Sequence, residues 1–331
     1  MRPDIVVNGR FLSRRITGVE RYGREILRCI GSNNRVESTP QQGWPGHAWE
    51  QLILPTRLRR HSILWSPANT GPLMISHQVL TIHDLSPLEH PEWFRASFAA
   101  WYRLFLPILA KRVRKVLTPS EYVKQKVMKR FGIENVTVTP NAVDHSIFQP
   151  GAKQTRFDLP GCYVLFVGTL EPRKNLNMLL QAWNEIKAGF NDTWLIVVGA
   201  TRNVFSPVNL PCEMERVRFL GYVEDETLAG LYANATLFVL PSQEEGFGLP
   251  ALEAMASGTP VIVSDGGALP EVVGEAGISF CLSNPNGLTN AMKECLSNMD
   301  LRRALKEKGL RQAKKFSWQA TAELVWKDLN D

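Results

Sequence analysis

The sequence is short of several things, and each shortage narrows what the protein can be. Its five cysteines (Cys29, Cys162, Cys212, Cys281, Cys295) are odd in number and scattered, with no C-x-x-C pair. They support neither a disulfide framework nor a zinc site, and they fit reduced thiols in a cytoplasmic protein. No stretch approaches the ~18 apolar residues of a membrane-spanning helix. The opening Met-Arg-Pro-Asp-Ile-Val-Val-Asn-Gly-Arg holds too short an apolar run for a secretory signal. There is no internal repeat and no low-complexity tract. Missing too are a G-x-G-x-x-G dinucleotide loop, a G-x-x-x-x-G-K-[ST] phosphate loop and a G-x-S-x-G nucleophile elbow. With no Asp-x-Asp pair to hold a divalent cation, neither a metal nor a resident cofactor is expected.

What is present is ordinary for a globular chain: 331 residues, 44% hydrophobic and 21% charged. That length favours two domains, because single cores stop growing near ~250–300 residues. The net charge of +6 conceals an asymmetry. Residues 1–150 hold 21 Lys+Arg against 11 Asp+Glu, a net of +10, whereas the remainder holds 17 against 21, a net of −4. A basic half suggests an anionic partner, whether nucleic acid, lipid surface or phosphorylated substrate.

Short β-branched runs alternate with helical patterns in both halves. Strands are expected at Ile5–Val7, Ser62–Trp65, Val79–Ile82, Lys115–Thr118 and Val136–Thr139, then at Tyr163–Val167, Trp194–Val198, Val217–Leu220, Leu237–Leu240 and Pro260–Val263. Helices are expected at Val19–Ile30, Phe98–Arg114 (interrupted by Pro107) and Ser120–Phe131, and later near Leu176–Ile186, Glu226–Tyr232, Leu249–Ala256, Gly287–Leu296, Leu301–Lys314 and Gln319–Leu329. Such alternation implies an α/β fold with parallel sheets wrapped by helices, and its recurrence implies two such domains. The linker falls at Phe148–Arg156, giving domains 1–150 and 151–331, with the last helix expected to pack back on the first. Ligands of such sheets bind beyond the strands' carboxyl ends, so two facing domains would leave a cleft lined by post-strand loops.

Several of these loops carry chemistry. Gly168-Thr169-Leu170-Glu171-Pro172-Arg173-Lys174-Asn175 sets two cations at a strand-to-helix turn, as an anion site or a solvated surface turn. Pro241–Pro250 contains Glu245, Gly246, Phe247, Gly248 and Leu249, whose backbone amides can face an anion. Glu245 and Glu253, if on one helix, would lie ~12 Å apart along it and about 80° apart around it. That is too wide for an acid/base couple. They are either two contacts along an extended ligand or a cap and a surface glutamate. Ser264–Val272 offers Gly266-Gly267 as exposed amides or as a tight turn. His83, at a strand end and beside Asp84, is either a functional group oriented by that carboxylate or a core histidine. In the first loop, Arg10, Arg14 and Arg15 precede Gly18 and could close over an anion.

These segments together resemble the retaining glycosyltransferases of family 4. The match is strongest over Glu245–Val261, an E-x7-E signature followed by Gly-Thr-Pro-Val. It is supported by Gly168–Asn175, Gly221-Tyr222-Val223, Leu269-Pro270-Glu271-Val272, Thr118-Pro119-Ser120-Glu121, Pro140–Asp144 and Thr17–Tyr22. The resemblance implies a GT-B architecture, two Rossmann-like domains with parallel sheets facing a central cleft. It also implies sugar transfer from a nucleotide-diphosphate donor, with no metal requirement, in bacterial surface polysaccharide synthesis.

By the same resemblance Arg173 and Lys174 bind the diphosphate and Glu253 the ribose. Glu245 and His83 stand near the donor sugar, and Glu245, His83 and Lys174 form the catalytic set. Gly246, Phe247, Gly248 and Leu249 contact sugar and phosphates, Val223 lies at the base pocket and Gly18 near the phosphates. The sequence departs from the family in having Gly168-Thr169 for Gly-Arg, Asn141-Ala142 for Asn-Gly, a compressed 278–288 segment and a short, unusual 35–60 segment. Mannose is the leading sugar and a glycan or lipid-linked sugar the expected acceptor. A nucleotide-sugar 2-epimerase and a non-catalytic nucleotide-sugar binder are the alternatives. No RNA-binding motif or aromatic platform for single strands is recognisable, so nucleic acid is not expected as a partner. Lys111, Arg112, Arg114, Lys115, Lys124, Lys126, Lys129, Arg130, Arg57, Arg59 and Arg60 of the basic half are either solvated helix faces or a surface that docks on anionic lipid, the second putting a cytoplasmic protein on the inner face of the cytoplasmic membrane.

Overall fold

The computed structural model describes residues 4–14, 16–31, 34–153, 157–201, 204–206 and 214–331. Arg15, Cys212 and linker positions 154–156 lie outside these. The chain forms two compact units, Met1–Pro91 with Ala96–Ala142 and Ser317–Asp331, and Glu92–Arg95 with Val143–Phe316.

The first unit contains β1 (Asp4–Asn8), α1 (Gly18–Ile30), β2 (Arg35–Glu37), α2 (Gly43–Ala48), β3 (Ser62–Ser66), β4 (Gln78–Thr81), α3 (Ser86–Glu89), α4 (Ala96–Arg112), β5 (Lys115–Thr118), α5 (Glu121–Phe131) and β6 (Val136–Val138). Its strands form one parallel sheet in the order β2-β1-β3-β4-β5-β6. β3 and β4 are buried at every position, as a parallel sheet covered on both faces requires. Ser120 caps α5 by accepting from the Val123 amide at 3.2 Å, and Gly132 ends it in the left-handed region at φ +64°. The break expected at Pro107 does not occur: α4 runs through it to Arg112. Pro107 removes one amide donor, and the apolar face of α4 (Tyr102, Phe105, Leu106, Leu109) stays packed in one core with the sheet residues Leu80 and Val116.

The second unit contains β7 (Cys162–Val167), α6 (Leu176–Ile186), β8 (Thr193–Val198), β9 (Val217–Gly221), α7 (Asp225–Asn234), β10 (Leu237–Leu240), α8 (Leu249–Ala256), β11 (Val261–Ser264), α9 (Leu269–Val273), β12 (Ile278–Phe280), α10 (Gly287–Ser297) and α11 (Met299–Ala313). All ladders are again parallel, in the order β12-β11-β10-β7-β8-β9. The chain starts this sheet at β7, builds outward through β8 and β9, then returns to place β10 on the other side of β7. The order therefore reverses between β7 and β10, and the crevice beyond that reversal is where open α/β sheets bind ligands.

A final helix, α12 (Trp318–Asn330), belongs to the first unit. Its Trp318 ring meets Tyr22 of α1 edge-on at 6.2 Å, Thr321 Oγ1 donates to Pro140 O at 2.7 Å, and Asp328 pairs with Lys115 at 2.5 Å.

Candidate functional site

The loops after β7 and β10 meet at the reversal of the second sheet. Pro172–Lys174 makes a single tight helical turn. Gln243 fastens it from the other loop, its amide donating to Arg173 O (2.8 Å) and its side chain to Pro172 O (3.1 Å). Between the loops sits Glu245, which is buried. Lys174 Nζ donates to its Oε1 at 2.5 Å and Ser242 Oγ to the same oxygen at 2.7 Å, while Arg173 Nη1 donates to Oε2 at 3.0 Å. Burial alone pushes the Glu245 carboxyl upward, but Lys174, Arg173 and the hydrogen bonds outweigh it and hold the carboxyl down at about 2.

Arg173 is spread across three acceptors. Its Nε and Nη2 donate to Glu171 Oε1 at 3.1 and 2.8 Å, and Nη1 also reaches Glu244 O at 3.1 Å. Glu171 is buried, its burial raises its pKa, and its second oxygen has no partner among the described residues. The turn is therefore not a solvated surface feature: Lys174 is only 7% exposed. Nor is it a bare pair of cations, since two carboxylates balance the two positive charges inside the fold. Sequence reasoning missed Glu171, Ser242 and Glu244. Their only signal was position, polar residues in the two loops that flank the strand-order reversal.

Glu245 lies in the loop before α8 and Glu253 within α8, so the one-helix spacing assumed for them does not apply. The surface-glutamate alternative also falls. Glu253 is buried and accepts from Tyr232 Oη at 3.2 Å. Gly246, Phe247, Gly248 and Leu249 are buried as well, and Gly248 takes φ +96° at the start of α8, where a Cβ would lie 2.4 Å from Leu269. Among the described residues the amides of Phe247, Gly248 and Leu249 have no acceptor. Unbonded amides at a helix start carry the positive end of the helix dipole. Gly266-Gly267 serves to brace this loop: a Cβ on Gly267 (φ +71°) would sit 2.3 Å from Glu245 O, and Ala268 N donates to that oxygen at 2.9 Å. Val223 packs its side chain into the core, and Tyr222 beside it is 43% exposed.

In the first unit, His83 follows β4. Its Nε2 donates to Pro67 O at 2.7 Å, and its amide donates to Asn69 Oδ1 at 2.7 Å. Among the described residues Asp84 makes no hydrogen bond to the ring; its carboxylate accepts from the Ser86 amide. Burial lowers the His83 pKa, so the ring is neutral with Nδ1 as an acceptor. Gly18 opens α1, and among the described residues a Cβ there would meet nothing within 4 Å, so none of them demands its small size. Two arginines of the first loop are paired within the first unit. Arg10 is buried against Glu50 at 3.1 Å and Arg14 lies 3.8 Å from Glu20.

Residues 152–312 match the family described as Glycosyl transferases group 1, and residues 56–147 match Glycosyltransferase Family 4. The O-antigen chain mannosyltransferase B of Escherichia coli is 30% identical over 75% of this chain and 68% of its own length. The O-antigen chain mannosyltransferase RfbU of Salmonella typhimurium is 33% identical over 66% of this chain, which spans 60% of that relative. The crystal structure of HepE from Anabaena in complex with UDP-glucose superposes with a TM-score of 0.74 at 17% identity, covering 98% of each chain. That likeness is one of fold, built here on two parallel six-stranded sheets.

Proposed function

Because the chain belongs to the family 4 glycosyltransferases, we propose that it moves a sugar, mannose in the first instance, from a nucleotide-diphosphate donor to a glycan or lipid-linked acceptor of a bacterial surface polysaccharide. The observation that carries the reading is the ionised Glu245 held between Lys174 and Arg173 at the strand-order reversal, with three unbonded amides beside it. Two relatives bear mannosyltransferase names, and the Anabaena structure holds a nucleotide sugar.

The proposal includes retention at the anomeric carbon and charge stabilisation without a metal ion. As the bond from the anomeric carbon to the diphosphate breaks, negative charge grows on the leaving oxygen. Arg173, Lys174 and the α8 amides are assigned to stabilise that charge. The Glu245 carboxylate is assigned to the positive charge that grows on the sugar ring. The acceptor hydroxyl attacks the same face, and its proton passes to the leaving phosphate. Glu253 is assigned to the ribose, the Val223 backbone to the base, His83 Nδ1 to a donor-sugar hydroxyl and Gly18 to the phosphates.

We also assign the protein to the inner face of the cytoplasmic membrane. Among the described residues no helix is long and apolar enough to cross a bilayer. The cations that support peripheral contact are fewer than those in the sequence. Arg114 and Lys115 are bonded to Asp328, Lys124 to Glu121, Lys126 to Glu89 and Arg57 to Glu37, whereas Lys111, Arg112, Lys129, Arg130, Arg59 and Arg60 are exposed. A panel of GDP-, UDP- and dTDP-sugars scored for binding and slow hydrolysis tests the reading. One donor should bind and be hydrolysed. Binding with neither transfer nor hydrolysis would make the protein a binder, and release of an epimer without acceptor would make it an epimerase.

A further inference from the structure

The first sheet has its own reversal of strand order, between β1 and β3, and a buried polar network closes it. Asn8, the last residue of β1, donates to Glu50 Oε1 at 2.6 Å. Arg10 Nη1 donates to Glu50 Oε2 at 3.1 Å and to Thr70 Oγ1 at 3.2 Å, and Thr70 donates in turn to Glu50 Oε1 at 3.0 Å. Arg10 Nη2 reaches Gly43 O at 3.4 Å. With Glu50 fully buried, these bonds fix the unusual 43–57 segment across the carboxyl ends of β1 and β3.

That segment presents an aromatic surface. Trp44 is 59% exposed yet held by two rings, Trp101 at 5.3 Å and 81° and His47 at 5.9 Å and 52°. Trp101 lies 5.1 Å from His47 and stacks on Phe105 at 4.7 Å. His47 Nδ1 is 3.0 Å from Arg10 Nη1. A guanidinium can only donate, so Nδ1 carries no proton and the ring's N–H is on Nε2. Among the described residues that N–H makes no hydrogen bond, and the indole N–H of Trp101 is buried without a partner. A rigid, exposed indole with an uncommitted N–H beside it matches one ligand class well. A pyranose offers an apolar C–H face for the ring and a rim of hydroxyls for the donor.

We propose that Trp44 and His47 form a stacking subsite for a pyranose ring of the acceptor glycan, at the strand-order reversal of the first sheet. This rests on the glycosyl-transfer reading for its ligand, though its test does not need the donor. Tryptophan also favours bilayer interfaces, but the donor at His47 and the buried network behind it favour a sugar over lipid.

The experiment measures binding of α-mannobiose and maltose to the full chain by quenching of intrinsic fluorescence and by saturation-transfer NMR. Wild type should bind at least one disaccharide, and Trp44→Ala should bind it about tenfold more weakly or not at all. Trp44→Phe should retain part of the affinity. His47→Gln, which can still accept from Arg10 and donate outward, should retain more than His47→Phe. Equal binding by wild type and Trp44→Ala would overturn the proposal, as would no binding by wild type at millimolar sugar. Vesicles of phosphatidylglycerol that sediment wild type but not Trp44→Ala, with no sugar binding, would assign the surface to lipid and overturn it too. Thermal shifts with GDP and UDP run alongside as the separate control. Their absence in every variant would count against the donor reading and leave the disaccharide result to decide the subsite.

Discussion

Glu245→Gln separates the structural load on the site from its chemistry. The carboxylate lies 2.5 Å from Lys174 Nζ and 3.0 Å from Arg173 Nη1. At an effective dielectric of ~20 the two attractions are worth roughly 6–7 and 5–6 kcal/mol. Desolvating the carboxylate cancels several kcal/mol of that, and removing one partner of a buried ion pair costs ~3–5 kcal/mol. For a unit of this size that should lower Tm by roughly 6–20 °C. The amide leaves Lys174 and Arg173 under-neutralised, so an anion should stabilise the variant more than the wild type. GDP or UDP should therefore raise Tm further in Glu245→Gln than in wild type, while sugar transfer falls by about 100-fold or more. The assay is differential scanning fluorimetry with and without nucleoside diphosphate, paired with a turnover measurement. A variant with wild-type Tm and no enlarged nucleotide shift would refute the ion-pair reasoning.

Other outcomes follow from the same structure. Lys174→Ala should cut turnover by ~10²–10³-fold with the circular dichroism spectrum unchanged, and a near-wild-type rate with a confirmed donor would end the diphosphate assignment. Gly267→Ala forces a side chain into φ +71° against the Glu245 backbone and should lower both Tm, by several degrees, and turnover. Arg10→Met should cost ~3–5 kcal/mol in urea unfolding, and adding Glu50→Met should recover much of it; a double variant no better than the single one would count against a coupled pair. Burial, then Arg10 and Arg14, lower the His47 pKa to about 3. The unfolded chain therefore binds a proton that the folded chain refuses as pH falls from 6.5 toward 3. Stability should drop through that window by up to ~1.4 kcal/mol per pH unit, and His47→Gln should flatten the profile.

Much of the fold was legible because parallel strands covered on both faces are continuous apolar runs. The strand Leu237–Leu240 and the helices Leu176–Ile186 and Leu249–Ala256 agree residue for residue between sequence and structure. The three-residue edge strands Arg35–Glu37 and Ile278–Phe280 were not legible because Arg-Val-Glu and Ile-Ser-Phe are interrupted by polar residues, whereas Val-Thr-Val at the edge strand Val136–Val138 is β-branched throughout. Within the site, Glu245, Lys174 and Arg173 were visible as residue types in post-strand loops. Their mutual pairing was not, because it depends on the distance between loops some 70 residues apart in the chain. The role of Gly266-Gly267 was hidden for the same reason: its cause is the backbone of Ser242 and Gln243 against Gly266 and of Glu245 against Gly267, not its own turn.

The last helix has a consequence for synthesis. The partners of α12 in the first unit, Tyr22, Lys115 and Pro140, all emerge before Val143–Phe316, and α12 emerges after it. A nascent chain can complete nearly all of the second unit from one continuous stretch while the first still waits for its closing helix. A single proteolytic cut between Ala142 and Val143 does not yield two self-sufficient pieces, because it leaves α12 attached to the wrong one. A deletion that removes α12 should accordingly damage the unit that is translated first.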